Sequence, residues 1–200
     1  MTAPVLRLAT PSDLDGIMAI ETATFTTDAW YSRSMAAELE GRDTYYLVAE
    51  PHDEPGRVVG YAGLLAGHGT GDADVQTIAV LPEARGRGLG RTLVTQLVTE
   101  ARRRGAREVF LEVRADNPVA QGLYASLGFE QLAVRPRYYM PDGVDAIVMR
   151  LTVPPTATST ATATTTATAT ATATADADAD AEATVVGADA DAGADEEARP

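Results

Sequence analysis

Between residues 4 and 153, apolar and polar positions follow two rhythms, one with a period near two and one near 3.6. The changes of rhythm mark out the elements. VLRLAT (residues 5–10) has the first rhythm and predicts a strand. PSDLDGIMAIETATF (residues 11–25) has the second: Leu14, Ile17, Met18 and Ile20 share a face, and Ser12 stands where an N-cap is expected. SRSMAAELEG predicts a second short helix ended by Gly41. TYYLVAE, RVVGYAGLLA and DVQTIAVL follow as three strands, separated by the turn-rich PHDEPG and GHGTGDA. The clearest helix comes next, with Leu89, Leu93, Leu97 and Ala101 at four-residue spacing, Val94 and Val98 beside them, and Gly105 closing it. REVFLEVR is a strand, NPVAQGLYASLG a helix with Asn117 as N-cap and Pro118 in its first position, and EQLAVRPRYYM and DAIVMRLTV are two last strands. The order βααβββαβαββ predicts an α+β domain, its sheet mixed but mostly antiparallel and flanked by helices.

The rhythm stops at about Pro154. From there PPTATSTATATTTATATATATADADADAEAT has no apolar periodicity and almost no large side chains, so it cannot bury enough surface to offset its chain entropy. The expected organisation is one domain over residues 1–153 and a disordered, low-complexity Thr/Ala/Asp tail over residues 154–200. That division changes the meaning of the charge. Of the formal net charge of −13, the tail carries −8, with nine acids and one arginine, so the acidity says little about what the domain binds. The chain has no cysteine, which excludes disulfides, cysteine-ligated metals and thiol nucleophiles. No apolar run approaches the ~20 residues of a membrane span. The start, MTAPVLRLATPSD, lacks the regions of a signal peptide, so a cytoplasmic location is expected.

The stretch EARGRGLGRTLV, residues 83–94, joins the strand TIAVL to the strong helix and places Gly86, Gly88 and Gly90 among Arg85, Arg87 and Arg91. Strand, glycine-rich turn and helix present free backbone N–H groups and a positive helix end to an anion, so the stretch is a candidate phosphate cradle. The dinucleotide fingerprint G-x-G-x-x-G fails, because position 91 is Arg and position 93 is Leu. A P-loop fails as well, because the chain contains no lysine. The pattern that fits is R-x-x-G-x-G, running Arg85-Gly86-Arg87-Gly88-Leu89-Gly90.

That loop resembles the coenzyme A pyrophosphate loop of the GNAT acetyltransferase superfamily. TIAVLPEARGRGLGRTLV, FLEVRADNPVAQGLYASLGF and RPRYYMPDGVDAIVMRL are similar, in order and spacing, to segments of RimI-type ribosomal-protein alanine N-acetyltransferases over residues 4–153. The resemblance implies a GNAT fold and acetyl-CoA as co-substrate, with no metal. It assigns backbone groups of Ile78, Ala79 and Val80 and the side chain of Asn117 to the pantetheine arm. The pyrophosphate falls to the loop of Arg85, Gly86, Arg87, Gly88, Leu89, Gly90 and Arg91.

Acetyl transfer from a thioester to an amine needs a neutral amine, a polarised carbonyl and a proton for the departing thiolate. An α-amine titrates near ~8, so a base must take its proton at neutral pH. The resemblance gives Glu112 in FLEVR that part and makes Tyr124 in GLYASLGF the proton donor to sulfur. The absence of cysteine and of a G-x-S-x-G elbow agrees with direct attack, without an acyl-enzyme. Alternation alone reads Glu112, between Leu111 and Val113, as solvent-facing, and Tyr124 as a helix aromatic packed on Phe129. On the acceptor side the resemblance points to Tyr138 and Tyr139 in RYYMPDG, and to Phe25 and Trp30 in FTTDAWYS. This last loop departs from the family's F-P-W-S form by an insertion-like TTDA. The implied acceptor is a protein N-terminus, the N-terminal alanine of a small-subunit ribosomal protein, with no direct nucleic-acid or membrane partner. A small-molecule amine, a lysine side chain, or a non-catalytic acetyl-CoA-binding module are the alternatives.

Overall fold

The structure, a computed structural model, describes residues 4–25 and 28–154. Except for Pro154, the expected tail lies outside the described residues, and so do Thr26 and Thr27. The elements follow the predicted order: β1 (Val5–Leu8), α1 (Leu14–Thr24), α2 (Ser32–Glu40), β2 (Thr44–Glu50), β3 (Gly60–Leu65), β4 (Asp72–Val80), α3 (Leu89–Arg103), β5 (Glu108–Arg114), α4 (Pro118–Ser126), β6 (Glu130–Tyr139) and β7 (Val144–Thr152). All seven strands form one sheet in the order β1-β2-β3-β4-β5-β7-β6. Every neighbouring pair is antiparallel except β4 and β5, which are parallel.

Alternation along the strands sorts side chains onto two buried faces. Leu47, Ala49, Ala62, Leu64, Val109, Leu111 and Val113 point to the face covered by α3 and α4, where they meet Leu89, Leu93, Leu97, Ala101 and Leu123. Tyr46, Val48, Tyr61 and Ala79 point the other way, to Ile17, Ile20, Phe25 and Met35 from α1, its following residue and α2. At its C-terminal end α3 is fastened by Arg104, whose guanidinium donates to the carbonyls of Asp43, Thr44 and Ala66 and to Glu100.

Two local expectations need correction. The N-terminal cap before α1 is built from Thr10 and Asp13, not Ser12. Pro11–Asp13 form a 3-10 turn, and the Asp13 carboxylate accepts from both the amide and the hydroxyl of Thr10. Hydrogen bonds from Arg7 hold Asp13 down at about 2 against its burial, so it stays ionised and accepts as a carboxylate. Gly41 does follow α2, but with φ −63° and ψ 142°, so no left-handed cap forms. The position is confined instead by Thr44, whose Oγ1 would lie 2.5 Å from an added Cβ.

The feature that shapes the middle of the sheet is a break in pairing. β4 and β5 are in register only from Asp72 opposite Glu108 to Asp74 opposite Phe110, after which they part. Against β3 the register slips at the same place, Gly63 facing Thr77 and Leu64 facing Val75, which leaves Gln76 as an extra residue on β4. Such a bulge bends and twists its strand. Beyond it, Val80, Ala79 and Ile78 still face Gly60, Tyr61 and Ala62 of β3, but their other edge has no strand partner among the described residues.

Candidate functional site

The unpaired edge of β4 leads directly into the glycine loop. Leu81 is followed by a 3-10 turn, Pro82–Ala84, and the chain then enters α3 through Gly86 and Gly88, at φ +76° and +77°. A side chain is strained in this left-handed region, which explains glycine at both positions. A Cβ added at either would meet nothing within 4 Å, so the space above the loop is open. Among the described residues no side chain caps α3, and its first turn holds no acid. Its leading N–H groups therefore lack intrahelical partners and the positive end of its dipole faces that space. This arrangement suits the pyrophosphate of a coenzyme.

The three arginines have different surroundings. Arg85 donates from Nε to the Val80 carbonyl at 2.9 Å, which folds the loop back on the end of β4. Arg91 donates to Ser126 Oγ at 2.8 Å and so links α3 to α4. Arg87 is exposed on the loop. Leu89 and Gly90 are buried at the start of α3, Leu89 with its side chain in the core. Asn117 caps α4 as its sequence predicts, Oδ1 accepting from the Ala120 amide at 2.9 Å, with Pro118 in the first turn.

Within α4, Tyr124 is wholly buried, and its ring packs edge-on against Phe129 at 5.9 Å between centroids. The packing role expected from the sequence is therefore present. Its hydroxyl, however, has no hydrogen-bond partner among the described residues. A buried O–H without a partner is costly unless a ligand supplies one. Burial, and then the neighbouring Tyr139 phenol, push Tyr124 well above the ordinary tyrosine range, so it keeps its proton.

Glu112 is not solvent-facing. It lies on the face of β5 opposite Leu111 and Val113, its side chain 13% exposed, with Arg135 Nη1 3.4 Å from Oε1. Burial raises its carboxyl above the usual range, Arg135 opposes the rise, and Asp74 across the parting strands adds to it. Alternation correctly separated Glu112 from the core. It could not show that side chains from β6, Arg135 among them, reach over that face.

These side chains come from an irregular hairpin. Arg135 faces Ala146 and Tyr139 faces Val144, so residues 136–138 loop out opposite Asp145 alone. Arg137 sits at φ +52°, its amide held by Asp145 Oδ1 at 2.8 Å. Tyr139 is buried, with its hydroxyl unpartnered among the described residues, and Tyr138 stands edge-on to it at 5.1 Å. Arg135 lies over the Tyr138 ring and Arg114 over the Tyr139 ring, the latter at 5.1 Å. Beside them a cavity of about 580 Å³ is lined by Pro136, Arg137, Met140, Pro141 and Gly143. Burial first, and then the neighbouring Tyr138, Glu112 and Asp28, raise the Tyr139 phenol above its ordinary range, so it keeps its proton.

Phe25 and Trp30, predicted to line the acceptor side, take unequal positions. Phe25 is 3% exposed and belongs to the α1–α2 core, so it supports the wall from behind. Trp30 is half-buried against the same cluster. The sequence reading missed other polar groups: Asp74 and Arg135 near Glu112, Arg114 over the Tyr139 ring, and Glu21 behind Trp30. For Glu21 a signal existed, since it follows Ile17 by four residues and so falls on the apolar face of α1.

The fold and much of the sequence have known counterparts. Residues 14–129 match the acetyltransferase (GNAT) family. A putative [ribosomal protein bS18]-alanine N-acetyltransferase of Bacillus subtilis is 36% identical over 153 residues, spanning 76% of this chain and 97% of that protein. An uncharacterized protein of Mycobacterium leprae is 40% identical over 149 residues, spanning 73% of this chain and 40% of that longer protein. Among solved structures, the ribosomal-protein-S18-alanine N-acetyltransferase of Escherichia coli superposes with a TM-score of 0.68 at 29% identity, covering 80% of this chain and 99% of that one.

Proposed function

The chain belongs to the acetyltransferase (GNAT) family, and on that premise we propose that it transfers the acetyl group of acetyl-CoA to the α-amine of a protein N-terminus. The acceptor is the N-terminal alanine of a small-subunit ribosomal protein, as the names of the Bacillus subtilis and Escherichia coli relatives state for those enzymes. A cytoplasmic location goes with such a substrate, and no helix among the described residues is long and apolar enough to cross a membrane.

The unpartnered hydroxyl of Tyr124 carries the mechanistic reading. The pantetheine arm enters the gap between β4 and β5, where backbone groups of Ile78, Ala79 and Val80 and the side chain of Asn117 face it. The pyrophosphate rests on the loop of Gly86, Gly88 and Gly90, with Arg87 free to reach it. The thioester then lies between Glu112 on β5 and Tyr124 on α4. Glu112, its carboxyl raised by burial, accepts a proton from the acceptor's ammonium. The amine nitrogen forms a bond to the acetyl carbon, the carbon–sulfur bond breaks, Tyr124 delivers its proton to the departing sulfur, and the second proton shed by the nitrogen as the amide forms restores the Tyr124 phenol. The products are the N-acetylated chain and coenzyme A. Tyr138 and Tyr139 hold the first residues of the acceptor from the hairpin side, opposite Trp30.

A panel of acceptors tests this: an alanine-terminated peptide, the same peptide with a blocked amino terminus but an internal lysine, and a small primary amine. Acetylation of the free-terminus peptide alone is expected. Acetylation of the lysine or the small amine at comparable kcat/KM would overturn the assigned acceptor class.

A further inference from the structure

Glu21 is wholly buried on α1, away from the reacting groups, and is tied both to the Trp30 segment and to the sheet. Its Oε1 accepts the Trp30 backbone N–H at 2.9 Å. Its other oxygen is hydrogen-bonded to the Tyr61 hydroxyl of β3. Tyr61 in turn lies 3.1 Å from Thr77 Oγ1 on β4, one residue past the Gln76 bulge and one before Ile78. Tyr61 and Thr77 are themselves 0% exposed, so the relay is sealed from water. The charged and titratable groups facing Glu21 are Tyr61 from β3, Tyr46 from β2 and Asp28 from the loop that carries Trp30. No cation is among them.

A carboxyl at a core position, with no salt-bridge partner, is costly, and an apolar residue there would pack without that cost. What it supplies is a fixed position for the backbone at Trp30 relative to the strand that parts from β5. We propose that Glu21 is a positioning residue for the acceptor: it fastens the Trp30 segment to the sheet at β4, so that the wall of the acceptor site and the edge beside the thioester are held as one unit. This rests on the acceptor reading given above. The described residues around Trp30, 28 to 31, belong to no helix or strand, and the Glu21 contact ties the Trp30 backbone to α1.

Trp30 is the only tryptophan in the chain, so its fluorescence reports on this segment without any assay of activity. Three full-length variants make the test. Glu21→Leu keeps volume and removes the acceptor, Glu21→Gln keeps an oxygen for the Trp30 N–H, and Glu21→Asp withdraws the carboxyl by one methylene. Leu is expected to raise KM for an alanine-terminated peptide about ten-fold, the size of one lost hydrogen bond to a charged group, and to increase acrylamide quenching of Trp30. The acetyl-CoA dissociation constant should stay at the parent value. Gln should remain within about two-fold of the parent in both readouts. Should Leu not fold, Asp carries the test, with the same direction and a smaller effect. Parent-like peptide KM and quenching in a folded Leu or Asp variant overturn the proposal. If the parent acetylates no N-terminal peptide, the acceptor reading fails while the quenching comparison still decides whether Glu21 holds Trp30.

Discussion

Arg135 of β6 reaches Glu112 of β5 across β7, the strand that lies between them, with Nη1 3.4 Å from Oε1. The carboxyl proposed as base is thus buried by one set of neighbours and held toward its charged form by another, and the balance sets the pH at which it can accept a proton.

Removing that cation should shift the balance in a known direction. In Arg135→Met the remaining influences on Glu112, burial and Asp74, both raise its pKa. The basic form is then depleted at low pH, and the acidic limb of kcat/KM against pH should move to higher pH. Because Arg135 is half-exposed, a loss of roughly two- to five-fold at pH 6 is expected, with little change at pH 8.5. A profile superimposable on the parent's would show that Glu112 is not the titrating base.

The glycine loop should fail by a different route. Gly88 sits at φ +77° at the head of α3. Gly88→Val places a β-branched residue where the left-handed conformation costs about 1–2 kcal/mol, and it puts methyl groups into the open space above the N–H groups. Acetyl-CoA binding, measured by calorimetry, should weaken at least about ten-fold, while the far-ultraviolet circular dichroism stays that of the parent. Unchanged affinity in a folded variant would remove the loop from the coenzyme site.

Glu21 makes a prediction for stability. Burial lifts its carboxyl in the folded chain to about 7 against an ordinary 4.5. The folded state therefore binds this proton more tightly than the unfolded chain does. The associated stability is fully present below about pH 4.5, declines as pH rises and is gone above about pH 7, a loss on the order of 3 kcal/mol. Glu21→Gln cannot ionise and escapes the loss. Its Tm minus that of the parent should grow between pH 5 and pH 8, and a difference independent of pH would show that Glu21 does not titrate in this range.

How much of this was legible in the chain follows from which interactions are local. The elements and their order are encoded in periodicity, and the α3 stripe of Leu89, Leu93, Leu97 and Ala101 is buried throughout. The Asn117 cap and the Gly86–Gly88 turn need only neighbours in sequence, and both were readable. The Thr10–Asp13 cap was missed because Arg7 and burial, not proximity to α1 alone, decide which acceptor is used. The parting of β4 from β5 comes beside a bulge at Gln76, whose extra residue shows only in the pairing with β3. The contact of Arg135 with Glu112, and the burial of Tyr139, come from the β6–β7 hairpin at the end of the domain. The family resemblance placed those residues in the site, whereas their surroundings could be read only in three dimensions.

The central claim is that Glu112 and Tyr124 divide the proton transfers between them, and comparing their conservative variants across pH addresses it most directly. Acetylation of an alanine-terminated peptide would be followed from pH 6 to pH 9.5 for the parent, Glu112→Gln and Tyr124→Phe, with acetyl-CoA binding measured alongside. Glu112→Gln should lose most at low pH, by on the order of 100-fold, and recover partly as pH rises past the amine's own pKa near ~8. Tyr124→Phe keeps its ring against Phe129 and loses only the donor, so its smaller defect should persist at high pH. Both should bind acetyl-CoA like the parent. Two profiles parallel to the parent's at near-parent rates would contradict the assignment of either residue to the chemistry.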